Sequence, residues 1–374
     1  MPRKVLIALN TAWNLVNFRA GLIRALVAKG YEVVAVAPSD EYAARLAELG
    51  CRFVALPMDN KGTHPGRDLL LFFRFLKLLR RERPDVFLGY TVKPNVYGSL
   101  AAHVLGIPVV NNIAGLGAVF IRDNWLTRLV QLLYKTALSR SHHVFFQNDE
   151  DSLMFVERGL VAADKVSRLP GSGVDLNKFY YQPVLEQGNN QFRFLLVARM
   201  LRDKGIGEYV DGARIVRKKY PNVIFQLLGF VDVENPTAIS NGEIIAWEKE
   251  GVVEYLGAAD DVRPYLAAAD CVVLPSYREG VPRSLLEAAA IGRPIIATDA
   301  VGCRDVVDDG VNGLLCCVAD VSDLVEKLLI MVEMPFEMRG AMGLAGRKKV
   351  ELEFDEQIVI NFYLRVIKKI IESR

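Results

Sequence analysis

The segment Leu274–Asp299 reads LPSYREGVPRSLLEAAAIGRPIIATD, and its pattern is strand, polar loop, helix and strand. The two strand stretches, Cys271–Pro275 and Pro294–Ala297, are apolar without alternation, which is typical of strands that are buried on both faces. Neighbouring strands that are joined through a helix run parallel. The segment therefore predicts an α/β fold in which helices cover both faces of a parallel sheet.

The same alternation of apolar runs and helical patterns extends over the whole chain and starts twice. In the first half it predicts strands at Val5–Leu9, Tyr31–Ala37, Arg52–Leu56, Asp85–Leu88, Val109–Asn111 and His143–Phe146, and helices at Phe18–Lys29, Tyr42–Leu49, Val92–Leu105 and Trp125–Ser139. In the second half it adds strands at Phe192–Val197, Val223–Leu228, Val252–Leu256 and Leu314–Val318.

The two series are separated by Gln182–Gln191 (QPVLEQGNNQ), which is the best linker candidate. We therefore expect two doubly wound domains, at 1–185 and 186–374, that face each other across a cleft. The last helical pattern, Phe354–Ser373, has no strand partner and is expected to pack back on the first domain. In such sheets ligands bind beyond the carboxyl ends of the strands, so functional residues are sought there.

The composition excludes several classes of protein. Of the 374 residues 51% are hydrophobic and 24% charged, which excludes a disordered chain, and a net charge of +2 gives no overall basic field for nucleic acid. Five cysteines without a CxxC pair indicate buried thiols in a reducing compartment. No apolar run approaches the roughly 20 residues of a membrane span. Val5–Leu9 is too short for a signal peptide, so a cytoplasmic location is expected.

Two acidic residues mark the loop and the helix of the opening segment. Glu279 precedes the helix, which is expected to open near Pro282, and Glu287 lies inside it. Gly280 would let backbone N–H groups approach an anion. Eight helical residues would separate the acids by roughly 12 Å, more than the roughly 5–9.5 Å of paired catalytic carboxyls. The acids thus fit two ends of one long ligand, such as a ribose and a hexose joined by a diphosphate; an ordinary capped helix is the alternative.

A basic turn begins the second half of the chain. Arg199 and Lys204 follow the strand Phe192–Val197 and precede a helix. Two cations beside a helix N-terminus suit a diphosphate. An ordinary basic turn is the alternative, but the acidic loop expected one strand away favours a binding site.

With these residues the chain resembles the retaining nucleotide-sugar glycosyltransferases of family 4, which have the GT-B architecture of two Rossmann-like domains. The resemblance covers nearly the whole chain and rests on Glu279-x7-Glu287, the Arg199/Lys204 turn, Gly302 in VGCRDVV and Asp309-Gly310-x-Asn312-Gly313. Within the family the chain is similar to bacterial N-acetylgalactosaminyltransferases that act on polyprenyl-diphosphate-linked sugars. That similarity rests on Asn17-Phe18-Arg19, Gly115-Leu116-Gly117, Asp232-x-Glu234-Asn235-Pro236 and the run after Tyr277.

The resemblance implies a role for each matched position. Arg199 and Lys204 would hold the donor diphosphate and neutralise the charge on the leaving group. Glu279 would bind hydroxyls of the donor sugar, and Glu287 would bind the ribose hydroxyls. Backbone groups at Gly280 and Val281 would complete the phosphate site, with Leu256 near the base. The family's mechanism is front-face attack with retention of configuration, without a metal, a cofactor or a dedicated nucleophile.

The first half carries the expected acceptor residues. After the first strand the loop Asn10–Arg19 contains no glycine, whereas a dinucleotide-binding enzyme would have GxGxxG there. Arg19 lies near a helix start and is expected, together with Asn17, to meet an acceptor diphosphate; an arginine on a solvated first turn is the alternative. Gly115 and Gly117 follow a strand and would allow the backbone to close over a ligand.

No metal site is predicted. Asp149-Glu150-Asp151 resembles a DxD metal motif, but it follows Asn148 at an expected helix start, where acids complement the helix dipole. His142 and His143 are adjacent on a strand, so they face opposite sides and do not share a metal. We interpret the acidic triplet as a helix cap.

The stretch Arg67–Arg83, RDLLLFFRFLKLLRRER, interleaves leucine and phenylalanine with cations. A basic amphipathic helix suits an anionic bilayer surface, which a lipid-linked acceptor would require. A sheet-covering helix with a basic outer face is the alternative. We expect a peripheral contact with the cytoplasmic face of the inner membrane.

The sequence thus predicts a retaining, metal-independent glycosyltransferase. It would move a sugar, with N-acetylgalactosamine or another N-acetylhexosamine as the best candidate, from a UDP-sugar to a polyprenyl-diphosphate-linked saccharide in bacterial surface-glycan assembly, such as O-antigen or capsule. The alternatives are a nucleotide-sugar epimerase or phosphorylase of the same architecture, and a non-catalytic two-lobed sugar-binding protein.

Overall fold

The computed structural model describes residues 2–59, 64–115, 125–184, 191–231 and 235–373. The chain forms two compact units, Met1–Ser172 with Glu356–Arg374 and Gly173–Asp355. The division thus falls at 172/173, whereas the sequence predicted 185/186. The reason is that the segment after residue 172 is held by the second unit: Gln182 N–H donates to Ile291 O (2.9 Å) and Arg347 donates to Phe179 O (2.8 Å).

The first unit contains a parallel sheet of seven strands in the order β3-β2-β1-β4-β5-β6-β7. The strands are β1 Lys4–Ala8, β2 Glu32–Ala37, β3 Arg52–Ala55, β4 Val86–Tyr90, β5 Val109–Ile113, β6 His143–Phe146 and β7 Val166–Arg168. The helices are α1 Ala12–Phe18, α2 Ala20–Ala28, α3 Pro65–Glu82, α4 Ser99–Val104, α5 Trp125–Leu138, α6 Asp149–Glu157 and, at the end of the chain, α14 Glu356–Glu372. The strand order reverses between β1 and β4.

The second unit contains a parallel sheet of six strands in the order β10-β9-β8-β11-β12-β13. The strands are β8 Phe192–Val197, β9 Val223–Leu228, β10 Glu254–Tyr255, β11 Cys271–Leu274, β12 Ile295–Thr298 and β13 Gly313–Cys316. The helices are α7 Ile206–Lys219, α8 Asn241–Lys249, α9 Arg263–Ala268, α10 Arg283–Ile291, α11 Cys303–Val306, α12 Val321–Glu333 and α13 Phe336–Glu353. Here the order reverses between β8 and β11.

The predicted α/β fold of two parallel sheets is confirmed, and the differences lie in short elements. The segment Asn10–Arg19, predicted as a loop, contains α1, whose N-cap Thr11 accepts from Asn14 N–H. The predicted helix Val92–Leu105 contains a π-helical turn, Pro94–Gly98. Strand β7 was not predicted, because its three residues include Ser167 and Arg168 and lie at the sheet edge.

The last helix, α14, belongs to the first unit. Its residues Val359, Ile360 and Ile367 are buried in the same core as the strand residues Val5 and Leu88. A buried helix face at the end of the chain thus completes one layer of the first unit.

In the second unit, two glycines of α13 lie in contrasting surroundings. A Cβ on Gly343 would lie 2.0 Å from the carbonyl oxygen of Gly292, which ends α10, whereas a Cβ on Gly340 would meet nothing within 4 Å. The close approach of α13 to α10 therefore requires the absence of a side chain at Gly343.

Gly343→Ala should lower the free energy of unfolding by about 1–3 kcal/mol, because the backbone carbonyl of Gly292 cannot move without repacking. Gly340→Ala, on the same helix, should raise it by about 0.5–1 kcal/mol through helix propensity. Urea denaturation of both variants measures the difference. Equal effects of the two substitutions would contradict the contact between the helices.

Candidate functional site

The carboxyl ends of β8 and β11 are adjacent in the second sheet, at the point where its strand order reverses. The loop after β8 packs directly on the loop after β11. Gly205, with φ +71°, approaches so closely that a Cβ would lie 2.0 Å from the carbonyl oxygen of Pro275. The N–H of Tyr277 and the hydroxyl of Ser276 both donate to Asp203 O, at 3.0 and 3.2 Å. The reversal point is where doubly wound sheets bind ligands.

This packing brings together two of the predicted site residues. Lys204 Nζ forms an ion pair with Glu279 Oε1, and each side chain is 16% exposed. The buried thiol of Cys303 lies close to the pair: burial raises the pKa of this thiol, and the charges of Glu279 and Lys204 both act on it. A cation and a carboxylate are thus held at the mouth of the site, largely out of water.

The loop that carries Glu279 is fixed from its other side by the segment after β12. Glu279 N–H donates to Val301 O (3.0 Å). Gly302, with φ +83°, lies so close that a Cβ would be 2.1 Å from Gly280 O. Both Gly280 and Val281 are buried. The loop therefore has little freedom to move without Gly302 moving as well.

Helix α10 begins directly after this loop. Its N-cap is Pro282, which provides no side-chain hydrogen bond to the first turn. The sequence predicted proline at the first helical position, whereas the helix begins one residue later, at Arg283. An N-terminus without a side-chain cap keeps the positive end of the helix dipole available for an anion.

Glu287 lies on α10 and is paired within the helix. Arg283 Nε donates to Glu287 Oε1 at 2.9 Å, and the side chains are 15% and 14% exposed. Burial raises the pKa of the Glu287 carboxyl, whereas Arg283 and the nearby Lys178 lower it and Asp261 raises it. Arg283 is a site residue that sequence analysis missed, although a cation at a helix start was a visible signal.

Arg199 and Leu256 occupy the neighbouring strand ends. Arg199 follows β8 and is exposed, and its guanidinium makes no hydrogen bond or ion pair with the described part of the chain. Gly229 after β9 lets the backbone approach so closely that a Cβ there would lie 1.8 Å from Ala198 O. Leu256 follows β10, donates its N–H to Leu227 O (2.8 Å) and packs half-buried against the core. All predicted donor-site residues therefore follow strands of one sheet edge or lie on α10.

In the first unit, Arg19 is buried, which contradicts the alternative of an arginine on a solvated turn. It is 5% exposed, and its guanidinium lies over the ring of Tyr90 at 4.3 Å. Nη1 donates to Phe18 O (3.2 Å), whereas Nε has no hydrogen-bond partner among the described residues. Arg19 ends α1 and precedes α2, near the reversal point between β1 and β4.

Of the other predicted acceptor residues, the structure describes Asn17 and Gly115. Asn17 donates from Nδ2 to Trp13 O (3.0 Å) within α1. Gly115 follows β5 with φ +130°, a conformation that favours glycine. Gly117 lies outside the described residues, as do Asp232 and Glu234.

The acidic triplet Asp149-Glu150-Asp151 forms the first turn of α6, and the side chain of Asn148 accepts from Asp151 N–H at 2.8 Å. The interpretation as a helix cap is confirmed. Within the described ranges no group of three or more His, Cys, Asp or Glu is arranged to hold a metal ion. Nor, across those same ranges, does any helix have the length and apolar character to cross a bilayer.

Two family models match consecutive parts of the chain. Residues 17–171 match the description "Glycosyl transferase 4-like domain", and residues 191–334 match "Glycosyl transferases group 1". Together they account for most of both units.

Two curated relatives are named as glycosyltransferases. The N,N'-diacetylbacillosaminyl-diphospho-undecaprenol alpha-1,3-N-acetylgalactosaminyltransferase of Campylobacter jejuni is 29% identical, over 96% of this chain and 97% of its own. The UDP-Gal:alpha-D-GlcNAc-diphosphoundecaprenol alpha-1,3-galactosyltransferase of Escherichia coli is 26% identical, over 70% of each chain. These relatives are transferases and give no support to an epimerase.

Two solved structures show the same fold. Sucrose-phosphate synthase from Thermosynechococcus elongatus has a TM-score of 0.81 at 17% identity, with 100% of both chains covered. HepE of Anabaena, solved with UDP and glucose, has a TM-score of 0.77 at 19% identity and covers 97% of this chain and 98% of its own. The likeness confirms the predicted GT-B architecture.

Gly205→Ala should lower the free energy of unfolding by roughly 2–4 kcal/mol, because a left-handed φ costs alanine about 1 kcal/mol and the clash with Pro275 O adds about 1–3 kcal/mol. The matched control is Gly251→Ala, which has φ +75° and nothing within 4 Å, so it should cost only about 1 kcal/mol. Chemical denaturation gives both values. If the two variants lose the same stability, the close packing of the two loops is refuted.

Proposed function

Because the chain belongs to the group 1 glycosyltransferases, we propose that it transfers a sugar from a UDP-sugar to a lipid-diphosphate-linked saccharide, with retention of configuration and without a metal ion. The observation that carries the proposal is the contact between Lys204 and Glu279 at the reversal point of the second sheet. A cation for the diphosphate and a carboxylate for sugar hydroxyls meet there in one place.

The donor diphosphate would bind between the loop after β8 and the start of α10. Lys204 and the exposed Arg199 supply two positive charges, and the N-terminus of α10 supplies backbone N–H groups. These groups would neutralise the charge that develops on UDP as the sugar leaves, which is the part that a metal ion plays in other transferases.

The two ends of the donor would be held by the two acids. Glu279 is paired with Lys204. When Lys204 turns to the diphosphate, the carboxylate of Glu279 becomes available to accept hydrogen bonds from hydroxyls of the sugar. Glu287 on α10 would accept from the ribose hydroxyls, and Leu256 would lie beside the base.

In the proposed reaction, the acceptor hydroxyl attacks the anomeric carbon on the face from which UDP departs. The bond between that carbon and the diphosphate oxygen breaks, and the new glycosidic bond forms to the acceptor oxygen. The hydroxyl proton passes to a phosphate oxygen of the departing UDP, so no separate base is needed. The product bond is α, as in the α-1,3 products that both curated relatives are named for.

The acceptor would bind to the first unit, whose Arg19 is a buried cation near the reversal point of that sheet. No carboxylate among the described residues pairs with it. A buried charge without a counter-charge is costly, and an anionic acceptor would reduce that cost. We propose that Arg19, Asn17, Gly115 and Gly117 belong to the acceptor site. N-acetylgalactosamine is the proposed transferred sugar, as in the Campylobacter relative.

Helix α3 fits a membrane surface. Leu69, Leu70 and Phe73 are exposed apolar side chains on its first turns, and Arg80 is an exposed cation further along. The remaining apolar face is packed in the core, so the alternative of a sheet-covering helix accounts for only part of the pattern. We propose that α3 contacts anionic lipid on the cytoplasmic face of the inner membrane, during O-antigen or capsule assembly.

The purified protein should release UDP from UDP-N-acetylgalactosamine when a short polyprenyl-diphosphate saccharide is added. Glu279→Ala should lower kcat/KM about 100-fold, because a group positioned at the reacting sugar is lost. Glu250→Ala, which removes an exposed acid paired with Arg214, should stay within about twofold of the unchanged protein. Activity should persist in EDTA, and proton NMR should show an α product.

Each arm of this experiment tests a separate part of the proposal. A protein that binds UDP-sugars but releases no UDP with any acceptor would be a binding protein. Full loss of activity with EDTA would exclude the metal-free mechanism, and a β product would exclude retention. Full activity of Glu279→Ala would remove the role given to this acid.

The double variant Leu70→Glu with Phe73→Glu should abolish sedimentation with vesicles of phosphatidylcholine and phosphatidylglycerol, because it places carboxylates on the proposed lipid-facing surface. Transfer to a short-chain acceptor in solution should persist. Leu352→Glu is the matched control, since Leu352 is an exposed leucine of α13 and should not affect sedimentation. Undiminished vesicle binding of the double variant would contradict the contact by α3.

A further inference from the structure

Arg283 and Glu287 form an ion pair on α10, and Arg283 has no part in the proposed reaction. The pair spans one helical turn, with 2.9 Å between Arg283 Nε and Glu287 Oε1. Both side chains are largely withdrawn from solvent, as their exposures of 15% and 14% show. Glu287 accepts no other hydrogen bond from the described residues.

Helix stability does not explain this pair. Arg283 is the first residue of α10, where the helix dipole favours anions and disfavours a cation. An arginine four residues before a glutamate is also the less favourable order for such a pair. A local arrangement that opposes helix propensity points to a function that outweighs it.

We propose that Arg283 is a positioning residue for nucleotide recognition. It holds Oε1 of Glu287, so that the carboxylate keeps one orientation and offers its remaining acceptor capacity to the 2′- and 3′-hydroxyls of a ribose. The class of ligand is a nucleoside diphosphate with an intact ribose. The inference rests on the proposed function, because it needs a nucleotide donor at α10.

The electrostatics of the site give Arg283 a second effect. The charged groups that act on Glu287 are Arg283 on its own helix, and Lys178 and Asp261 from neighbouring segments. Burial raises the pKa of Glu287 and Arg283 is the strongest of the opposing influences, so removal of Arg283 raises this pKa further. A protonated Glu287 has lost part of its acceptor capacity, so ribose recognition would fail as the pH falls.

The test compares binding of UDP and of 2′,3′-dideoxy-UDP by calorimetry. The unchanged protein should prefer UDP by roughly 10–100-fold, as expected for a site built to bind hydroxyls. In Arg283→Met, UDP should bind about tenfold more weakly and the dideoxy compound should bind as before. Arg283→Lys, which keeps the charge but lacks the planar guanidinium, should recover part of the preference.

The pH dependence separates positioning from general structural support. As the pH is lowered, Arg283→Met should lose affinity for UDP at a higher pH than the unchanged protein does. Binding of the dideoxy compound should show no such difference between the two proteins. Lys327→Met is the matched control, because it removes another ion pair across one helical turn of the same unit, on α12. It should leave the preference for UDP unchanged.

The outcomes are distinguishable. If the unchanged protein binds neither compound, the proposed donor site itself fails. If it prefers UDP and Arg283→Met, shown to be folded by its thermal transition, keeps the full preference, the positioning role of Arg283 is overturned. If Arg283→Met does not fold, Arg283→Lys decides: a partial loss of the UDP preference supports the positioning role, and the full preference would overturn it, because lysine lacks the planar guanidinium.

Discussion

The second unit depends on the close approach of Gly205 to the carbonyl of Pro275. A side chain at this position would collide with the backbone of Pro275, and the buried backbone there cannot move without repacking its neighbours. The approach fixes the loop after β8 on the loop after β11, where Asp203 O accepts two hydrogen bonds. This packing brings Lys204 within reach of Glu279. The ion pair is thus a consequence of backbone geometry, and the chemistry of the site follows from it.

Two acids of the site are each paired with a cation: Glu279 with Lys204, and Glu287 with Arg283. Burying an ion pair costs desolvation free energy, and the attraction between the two charges does not always offset it. Such pairs therefore contribute little to stability by themselves. The pair of Lys204 and Glu279 can instead exchange partners: in the proposed reaction a diphosphate would bind Lys204, and the released carboxylate of Glu279 would accept from sugar hydroxyls. In the pair on α10, Arg283 would stay on Glu287 and orient it.

Much of the fold was predictable because buried parallel strands are apolar on both faces. The strands His143–Phe146, Phe192–Val197 and Val223–Leu228 have the predicted bounds, since each is a short, predominantly apolar run. Short edge strands such as β7 and the π-helical turn before α4 lack a distinct pattern. Spacing and residue type also indicated Lys204 and Glu279, but their contact is a property of packing between distant segments. Arg283 was missed as the partner of Glu287 because a cation at a helix start, although visible in the sequence, does not by itself show that the two side chains pair out of solvent.

The two units differ in how their cations are compensated. In the second unit Lys204 has an internal carboxylate, whereas the buried guanidinium of Arg19 in the first unit has a ring face and a backbone carbonyl. The electron-rich face of Tyr90 offsets part of the free-energy cost of burying this charge. Both Arg199 in the second unit and Arg19 in the first unit thus keep a positive charge without an internal carboxylate among the described residues, which suits the binding of two diphosphates. In the proposed reaction, the pair of Lys204 and Glu279 would exchange partners when UDP binds, and the diphosphate of the acceptor would supply a counter-charge for Arg19.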